Sequence, residues 1–358
     1  MKIEAIDIIH VEMAKEDPEW GFALTAPTGG EAKSKGFIIE LTTDEGVIGL
    51  GYTSASAHHG STYAGVQAAL KTYTDLLIGK DPFDMEKIFM EMDRLLWGNN
   101  RAKAAIDLAL HDLQAKALGI PLYSLLGGLV REEIPIIRIL ALKEPEQMAA
   151  NALKLVEQGY AYIKVKLNGD PVKDLSRMRE IRKAVGDDIH LTVDANQSYT
   201  PKVAIDTLKR MQEFGVALCE QPVRKDDWEG LAAVTRAVDC IVEAHESALS
   251  LENIFGLVKC RAVDCINIKI TQVGGFRVAK VAAAICKLGN VSVRVGTTGS
   301  RLVSAASMHF VAATENISYA CELGEFSRLL DDPIDGLEVE DGILRVPSSP
   351  GVGVQMRS

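Results

Sequence analysis

From about residue 133 onward the sequence alternates eight times between a short apolar run and a stretch with helical periodicity. The runs are rich in Val and Ile and lack regular polar alternation, which is typical of strands buried on both faces of a parallel sheet. Eight strand–helix units in succession favour a closed (β/α)₈ barrel over an open doubly wound sheet. The predicted strands are Ile134–Leu140, Tyr162–Leu167, His190–Ala195, Val216–Glu220, Cys240–Ala244, Cys265–Ile270, Val291–Gly296 and Tyr319–Leu323.

The first third of the chain has strands followed by helices, which predicts an α+β domain. We expect a capping domain over residues 1–125, completed by the tail 326–358, and a barrel over residues 126–325. The polar segment Met13–Lys35 is predicted to be a long loop whose Trp20 and Phe22 close over a substrate or pack against the barrel. The predicted strands are Lys2–Val11, Gly36–Thr43 and Val47–Thr53, and the predicted helices are Thr62–Leu77, one after Asp81-Pro82, and Arg101–Leu118.

Composition argues against several classes of partner. The 358 residues carry a net charge of −10 and no basic run, so nucleic acid is not an expected partner. No apolar run reaches the roughly 18 residues of a membrane span, and the first residues lack a signal pattern. The six cysteines are scattered without a CxxC pair, which indicates free thiols in a reducing cytoplasm.

Charged residues recur at the carboxyl ends of successive predicted barrel strands. The steps along the chain between them are 28, 26, 25 and 24 residues, each about one strand–helix unit. Side chains at equivalent heights on successive strands converge on the mouth of a barrel, where such enzymes have their active sites. The residues are Lys166, Asp194, Glu220, His245 and Lys269.

The residue types at these positions predict metal-assisted proton transfer. Carboxylates on adjacent strands suit a hard divalent cation. Lys164 and Lys166 point to the same side of one strand, so their repulsion is expected to lower one pKa toward the range of a base. Lys269, four strands beyond Lys166, lies across the barrel, so the two ammonium groups can approach opposite faces of one carbon.

These motifs together resemble the enolase superfamily, and most closely its muconate lactonizing enzyme subgroup. The resemblance covers nearly the whole chain, including the capping domain and the returning tail. It implies a barrel enzyme with a divalent metal, Mg²⁺ first and Mn²⁺ as the alternative. The matching motifs are Lys164-x-Lys166, Asp194-x-Asn196, Glu220-Gln221-Pro222 and Lys269 followed by Val273-Gly274-Gly275.

The resemblance also implies roles for the matched residues. Asp194 and Glu220 become the first two metal ligands. Lys166 becomes the base on one face of the substrate, Lys269 the acid or base on the other, and Lys164 the cation that supports them. The substrate carboxylate would bind the metal, which would stabilise the enediolate formed on loss of the α-proton.

The fifth strand departs from the subgroup pattern. It normally ends Asp-Glu-Ser, with the Asp as third metal ligand, whereas this chain has His245-Glu246-Ser247. We predict His245 as the third ligand, although imidazole suits Zn²⁺, Mn²⁺ or Fe²⁺ better than Mg²⁺. The alternatives are an oxygen from Glu243 or Glu246, or a water molecule.

Substrate contacts are expected from further polar residues at the carboxyl ends of the barrel strands. Asn196, Glu246 and Thr298 are predicted to contact the substrate, and Thr297 and Ser300 are hydrogen-bonding alternatives that are also common in turns. Glu322 is predicted to hold a cationic substrate nitrogen, with a structural salt bridge as the alternative; it is half of the Asp-x-Asp found in dipeptide epimerases of the subgroup, since residue 324 is glycine. His58 and His59 either line the pocket or belong to a solvated loop.

The retained opposed lysines favour racemisation or epimerisation of a small carboxylate such as an N-acyl amino acid, a dipeptide or a proline relative. In that reaction one lysine removes the α-proton and the other returns a proton from the opposite face. Muconate-type cycloisomerisation or dehydration is the alternative, because the same lysines serve all three reactions. A non-catalytic binding protein, marked by His245, is a third interpretation. A homo-oligomer is expected.

Overall fold

A three-stranded antiparallel sheet forms the start of the chain in this computed structural model, which describes residues 1–18, 21 and 33–357. The strands β1 and β2 extend further into the predicted Met13–Lys35 loop than expected, because Ala14 and Lys33 still pair across the two strands. Trp20 and Phe22 lie outside the described residues, as does the side chain of His58. The strands are β1 (Ile3–Ala14), β2 (Lys33–Thr43) and β3 (Ile48–Ser54), in that order.

Helices pack against this sheet and connect it to the barrel. The third helix is buried along nearly all its length, since it lies against β3 on one side and the barrel on another. It approaches β3 so closely that a Cβ at Gly51 would overlap the carbonyl oxygen of Ala105, which explains the glycine in the strand. The helices are α1 (Tyr63–Leu77), α2 (Met85–Leu95), α3 (Asn100–Ala117) and α4 (Leu122–Leu126).

The barrel forms from residue 137 onward, as the alternation predicts. Seven strands pair in parallel in the order of the sequence, and apolar side chains fill the space between them and the surrounding helices. The strands are β5 (Ile137–Leu140), β6 (Tyr162–Lys166), β7 (His190–Asp194), β8 (Val216–Glu220), β9 (Ile241–Ala244), β10 (Cys265–Ile268) and β11 (Ser292–Val295). The helices are α5 (Pro145–Glu157), α6 (Pro171–Val185), α7 (Pro201–Met211), α8 (Trp228–Ala237), α9 (Leu251–Lys259), α10 (Ile270–Val273), α11 (Phe276–Leu288) and α12 (Arg301–Ala312).

The eighth position of the barrel is closed by single bridges rather than a regular strand. Cys321 bridges to Ile136 beside β5, and Glu322 bridges to Gly296 beside β11. The segment alternates between its two neighbours, since Cys321 N–H donates to Pro135 while Glu322 N–H donates to Val295. A parallel barrel with an α+β capping domain is therefore confirmed, but the predicted strand Tyr319–Leu323 is shortened to these contacts.

The first predicted barrel strand is also divided. The short strand β4 (Glu133–Pro135) pairs antiparallel with β13 (Ile343–Arg345) of the tail, and only β5 belongs to the barrel sheet. Other tail segments are β12 (Ile334–Asp335), paired with β14 (Gln355–Met356). The tail also returns to the capping domain, where Val352 N–H donates to Asp112. The domain boundaries at 125 and 325 remain predictions.

Three short 3₁₀ helices complete the described elements: Ala57–His59, Gln212–Phe214 and Glu325–Arg328. All six cysteines are free, five buried and Cys260 exposed. Across residues 1–18, 21 and 33–357, no helix has the length and apolar character needed to cross a bilayer.

Candidate active site

A cavity of about 630 Å³ lies at the carboxyl ends of the barrel strands, and its outer wall comes from the capping domain and the tail. Ser54 and Arg101 contribute from the capping domain, and Leu329 contributes from the tail. All ten predicted site residues line this cavity: Lys164, Lys166, Asp194, Asn196, Glu220, His245, Glu246, Lys269, Thr298 and Glu322. The register of the parallel strands brings them together, because Lys166 pairs with Asp194 and Asp194 with Glu220 across neighbouring strands.

Lys164 lies at the bottom of the cavity among three carboxylates. Its Nζ is 2.5 Å from Glu322, 2.9 Å from Glu220 and 3.4 Å from Asp194. Burial alone would lower the pKa of Lys164, but these carboxylates outweigh it and raise the pKa above the usual value. The expectation that repulsion between Lys164 and Lys166 produces a lowered pKa is therefore wrong for Lys164, which remains a fixed cation.

Lys166 is held at the barrel mouth by polar contacts. Its Nζ lies 2.5 Å from Asp194 and donates to the side-chain oxygen Oδ1 of Asn196 at 3.0 Å. Asn196 has a φ of +43°, which asparagine adopts more readily than most residues, and its amide nitrogen donates to Glu246 at 3.2 Å. Asn196 thus links Lys166 to the fifth strand end, in addition to its predicted contact with substrate.

Lys269 approaches the cavity from the opposite side of the barrel. It follows β10, which is four strand positions from β6 in either direction around an eight-stranded barrel. Burial is the largest influence and lowers the pKa of Lys269 below 10.5, although the Glu322 and Glu220 carboxylates oppose this effect. In the part of the chain that the structure describes, no carboxylate oxygen lies within 4.0 Å of its Nζ. Lys269 is therefore the lysine whose surroundings favour the neutral amine.

Three buried side chains form a cluster with the donor set of a divalent metal site. Ligand atoms of Glu220, His245 and Glu246 all lie within 4.8 Å of one another. The His245 Nδ1 is 3.2 Å from Glu220 Oε1 and 3.6 Å from Glu246 Oε2, and this buried Glu246 oxygen has no hydrogen-bond partner among the described residues. A buried carboxylate oxygen without a donor among the described residues is suited to bind a cation. The donor set therefore fits a metal ion.

The carboxylate oxygens of the other proposed ligands, Asp194 and Glu243, already contact donors from other residues. Asp194 lies next to the cluster, but its Oδ2 contacts Lys166 and its Oδ1 accepts from Asn196 N–H. Both Glu243 oxygens accept from Arg294, so Glu243 is a poor source for the third ligand. Of the two carboxylate alternatives to His245, the geometry favours Glu246.

The sequence interpretation missed a fully buried cation beneath the site. Arg294 lies on β11, and its guanidinium donates to Glu243 and to Glu220 Oε2 at 2.7 Å and lies 3.0 Å from Glu322. Two signals were available: an arginine inside the apolar run Val291–Gly296, and a glutamate inside the run Cys240–Ala244. Both are uncommon in buried strands unless they pair.

Two glutamines were also missed. Gln221, at a φ of +38°, accepts from the backbone N–H groups of His245 and Ser247 and so fixes the turn after β9. The Oε1 of Gln272 lies 3.0 Å from the Nε2 of His245. This contact orients the imidazole with Nδ1 toward Glu220, as partners of metal-binding histidines generally do.

The remaining predicted residues differ in whether their side chains face the cavity or hold the backbone. Thr298 is exposed to the cavity, whereas Thr297 bonds to the Glu322 backbone and Ser300 begins α12 by accepting from Leu302 N–H. His59 lines the cavity, with its ring centroid 5.3 Å from that of His245.

Glu322 lies beside Lys164 at the bottom of the cavity. It is fully buried, and its Oε1 contacts Lys164, while its Oε2 has no hydrogen-bond partner among the described residues. This arrangement favours the structural salt bridge for Oε1 and leaves the predicted substrate contact to Oε2.

Comparison with known proteins covers both halves of the chain. Residues 9–127 match the mandelate racemase / muconate lactonizing enzyme N-terminal domain, and residues 147–358 match the enolase C-terminal domain-like family. The chain is 34% identical to a chloromuconate cycloisomerase of Cupriavidus necator, covering 99% of this chain and 97% of the relative. It is 31% identical to the N-succinyl-L-Arg/Lys racemase of Bacillus cereus, covering 99% and 96%.

A crystal structure of the dipeptide epimerase from Enterococcus faecalis, complexed with Mg and the dipeptide L-Leu-L-Tyr, superposes with a TM-score of 0.94. That match is 32% identical and covers 99% of this chain and 100% of the other. Members of this family use a divalent metal, in agreement with the buried acidic cluster at the barrel mouth. With both halves of the sequence matched and relatives aligned from end to end, the chain belongs to the enolase superfamily, within its muconate lactonizing enzyme subgroup.

Proposed function

We propose that this protein is a racemase or epimerase that inverts the carbon next to the carboxylate of a small amino acid derivative. The observation that carries the proposal is the placement of Lys166 and Lys269 on opposite sides of one cavity, at the ends of β6 and β10. Two-base inversion needs such an arrangement, because the proton leaves one face of the carbon and another arrives at the other face.

The two lysines would exchange roles with the direction of the reaction. For one enantiomer, neutral Lys269 removes the α-proton and the Lys166 ammonium supplies one to the opposite face. For the other enantiomer, Lys166 removes the proton and Lys269 supplies it. Lys164 stays cationic among its carboxylates and stabilises the negative charge that develops on the substrate.

We assign the metal site to Glu220 and His245, with Asp194 and Glu246 as the neighbouring oxygen donors. Two observations support this assignment: the buried Glu246 Oε2 has no hydrogen-bond partner among the described residues, and the ligand atoms of the cluster lie within 4.8 Å of one another. Mg²⁺ is the proposed ion, supported by the Mg in the epimerase complex, with Mn²⁺ as the alternative because of the imidazole. When bound, the ion would hold the substrate carboxylate and offset the charge formed on proton loss.

The proposed substrates are N-acyl amino acids, dipeptides and proline relatives. Two of the relatives act on such compounds, by their names an N-succinyl amino acid racemase and a dipeptide epimerase. The cavity of about 630 Å³ is of a size common for small-molecule sites and suits compounds of this class.

The test is α-proton exchange in D₂O, followed by NMR with Mg²⁺ or Mn²⁺ present, on a panel of these compounds. Wild-type protein should incorporate deuterium into both enantiomers of its substrate. Lys166→Ala and Lys269→Ala should each abolish inversion while blocking exchange from only one enantiomer. Wild-type exchange in both variants would overturn the assignment of the two bases.

Cycloisomerisation is the second candidate, supported by the 34% identity to a chloromuconate cycloisomerase. In that reaction only one lysine transfers the proton and the other acts through its charge. Conversion of muconate-type lactones, with only one lysine variant losing deuterium exchange, would favour this reaction. A product lighter by one water would instead indicate a dehydratase, and binding without any exchange would indicate a non-catalytic relative.

We also propose that the protein works in the cytoplasm, supported by its six free cysteines. Its assembly as a homo-oligomer remains a prediction that light scattering would test.

A further inference from the structure

Arg101 is a buried cation on the capping-domain side of the cavity. It lies in the first turn of α3, is only 7% exposed, and lines the cavity wall. Its Nη1 donates to the Ser54 carbonyl oxygen at 2.8 Å, and its Nη2 lies 3.4 Å from Nδ1 of His59. The His59 ring in turn contacts the His245 ring. The guanidinium is thus separated from the proposed metal site by one imidazole.

The residues that the structure describes around Arg101 supply no carboxylate partner. Within the described ranges, no carboxylate oxygen lies within 4.0 Å of its guanidinium. Lys103, a buried cation two residues along the same helix, does have a carboxylate partner, since its Nζ is 2.5 Å from Asp93. A buried charge without a partner is costly, and the positive end of the α3 dipole adds to that cost.

The cation persists at neutral pH despite this environment. Burial lowers the pKa of Arg101 from 12.5 to about 10, which still leaves the guanidinium charged in the physiological range. Five donors on a planar group, only partly satisfied by Ser54 and His59, match the two oxygens of a carboxylate.

The cavity wall around Arg101 is rich in cations. The wall residues from the capping domain and the tail include five cations, of which Lys33 and Lys35 pair with Glu12 and Arg328 pairs with Glu325. Arg101 differs from these three paired cations, because no described carboxylate oxygen lies within 4.0 Å of its guanidinium, and a negatively charged ligand would supply that partner. The cations are Lys15, Lys33, Lys35, Arg101 and Arg328.

We propose that Arg101 binds a second carboxylate of the substrate, distinct from the carboxylate next to the reacting carbon. This inference rests on the proposed racemase or epimerase function and names its substrate class as dicarboxylic amino acid derivatives. The first carboxylate belongs at the metal cluster on the barrel, whereas Arg101 extends from the capping domain. The second carboxylate comes either from an acidic side chain or from the acyl chain.

Matched ligand pairs separate these two sources. N-acetyl-L-glutamate and N-acetyl-L-glutamine differ only in the side-chain charge, and N-succinyl-L-alanine and its terminal amide differ only in the acyl charge. Calorimetric binding with Mg²⁺ present should show one diacid binding about ten- to a hundredfold more tightly than its neutral partner. The pair that shows the preference identifies the source.

Variants of the arginine complete the test. Arg101→Met should reduce the preference to about twofold or less, as expected when a charge-assisted hydrogen bond is lost. Arg101→Lys should retain part of the preference, because it keeps the charge but loses the planar fork. Lys103→Met, a comparably buried cation that does not line the cavity, is the matched control and should leave the preference unchanged.

Thermal unfolding distinguishes binding from a purely structural role. Without ligand, Arg101→Met should unfold at the wild-type temperature or above it, because it removes a buried charge that has no carboxylate partner among the described residues. A structural arginine would instead lower that temperature and weaken all four ligands equally, which would overturn the proposal. The proposal also fails if wild-type protein binds both members of each pair equally.

Deuterium exchange with the same four compounds tests the proposed function separately. A binding preference that disappears in Arg101→Met without any exchange would retain the Arg101 site and reject the racemase. Exchange with a preference unchanged in Arg101→Met would retain the racemase and reject the Arg101 site.

Discussion

The Lys269 side chain passes directly over Gly296, the residue that follows β11. A Cβ built at Gly296 would lie 2.7 Å from Lys269 Cε and 3.1 Å from Oε2 of Glu322. The missing side chain at residue 296 therefore provides the space in which the proposed base crosses the barrel. Both contacts are with the ends of side chains, so an added methyl group would displace them rather than the backbone.

Gly296→Ala should impair the step that uses Lys269 as base by about tenfold to a hundredfold, since a shift of about 1 Å in a reacting group has this effect. The melting temperature should change little. Exchange initiated by Lys166 from the other enantiomer should be less affected and serves as the internal control. Equal rates for both enantiomers, matching wild type, would show that Gly296 does not determine the position of Lys269.

The pH dependence of proton exchange should report the pKa of Lys269 most directly in Lys166→Ala, in which Lys269 is the remaining proposed base. Because burial lowers the pKa of Lys269, the neutral amine becomes available below pH 10.5. Deuterium exchange from the enantiomer that Lys269 deprotonates should therefore rise as pH increases through this pKa and level off above it. In wild-type protein kcat/KM should follow one pH profile for both enantiomers, because the equilibrium constant between them does not change with pH. Exchange in Lys166→Ala that does not rise with pH below 10.5 would argue against Lys269 as a base.

His245→Asp should strengthen Mg²⁺ binding by about tenfold or more, since it replaces a neutral nitrogen donor with a charged oxygen donor at the cluster. Zn²⁺ binding should weaken relative to Mg²⁺, because imidazole suits the softer ion. Isothermal titration of both ions measures the change, with His190→Ala on the exposed start of β7 as control. Unchanged affinities in His245→Asp would exclude His245 from the metal site.

Arg294→Met should destabilise the protein by about 3–5 kcal/mol, because it leaves buried carboxylates of Glu243, Glu220 and Glu322 without their shared cation. Urea unfolding measures the loss. The double variant Arg294→Met/Glu243→Met should recover part of it, since one uncompensated charge is removed with the cation. A double variant less stable than Arg294→Met would contradict this account of the pair.

Much of the architecture follows from local pattern. Apolar runs such as Val216–Glu220 can be recognised as buried parallel strands because both faces need apolar residues. The ends of the barrel were harder to predict. The first run is divided between β4, which pairs with β13 of the tail, and β5 of the barrel, and the eighth position is held by isolated bridges; periodicity reveals neither feature.

The site residues likewise divide into features that spacing predicts and features that depend on tertiary distances. Spacing of one strand–helix unit predicted that Lys166, Asp194 and Glu220 meet, because parallel register brings strand ends to one height. It did not predict which lysine has a lowered pKa. That depends on distances to carboxylates contributed by remote strands, which surround Lys164 and stay more than 4.0 Å from Lys269 among the described residues.

The sequence alone determined the strand–helix order, the opposed lysines and the departure at His245, since these depend on residue type and spacing. Only the tertiary structure decided that Glu243 pairs with Arg294, that Glu246 joins Glu220 in the metal cluster, and that Arg101 reaches the cavity without a counter-ion from the described residues. These relationships join residues far apart in the chain. Their energies depend on burial and on distances of a few ångströms, which exist only once the barrel has closed against its capping domain.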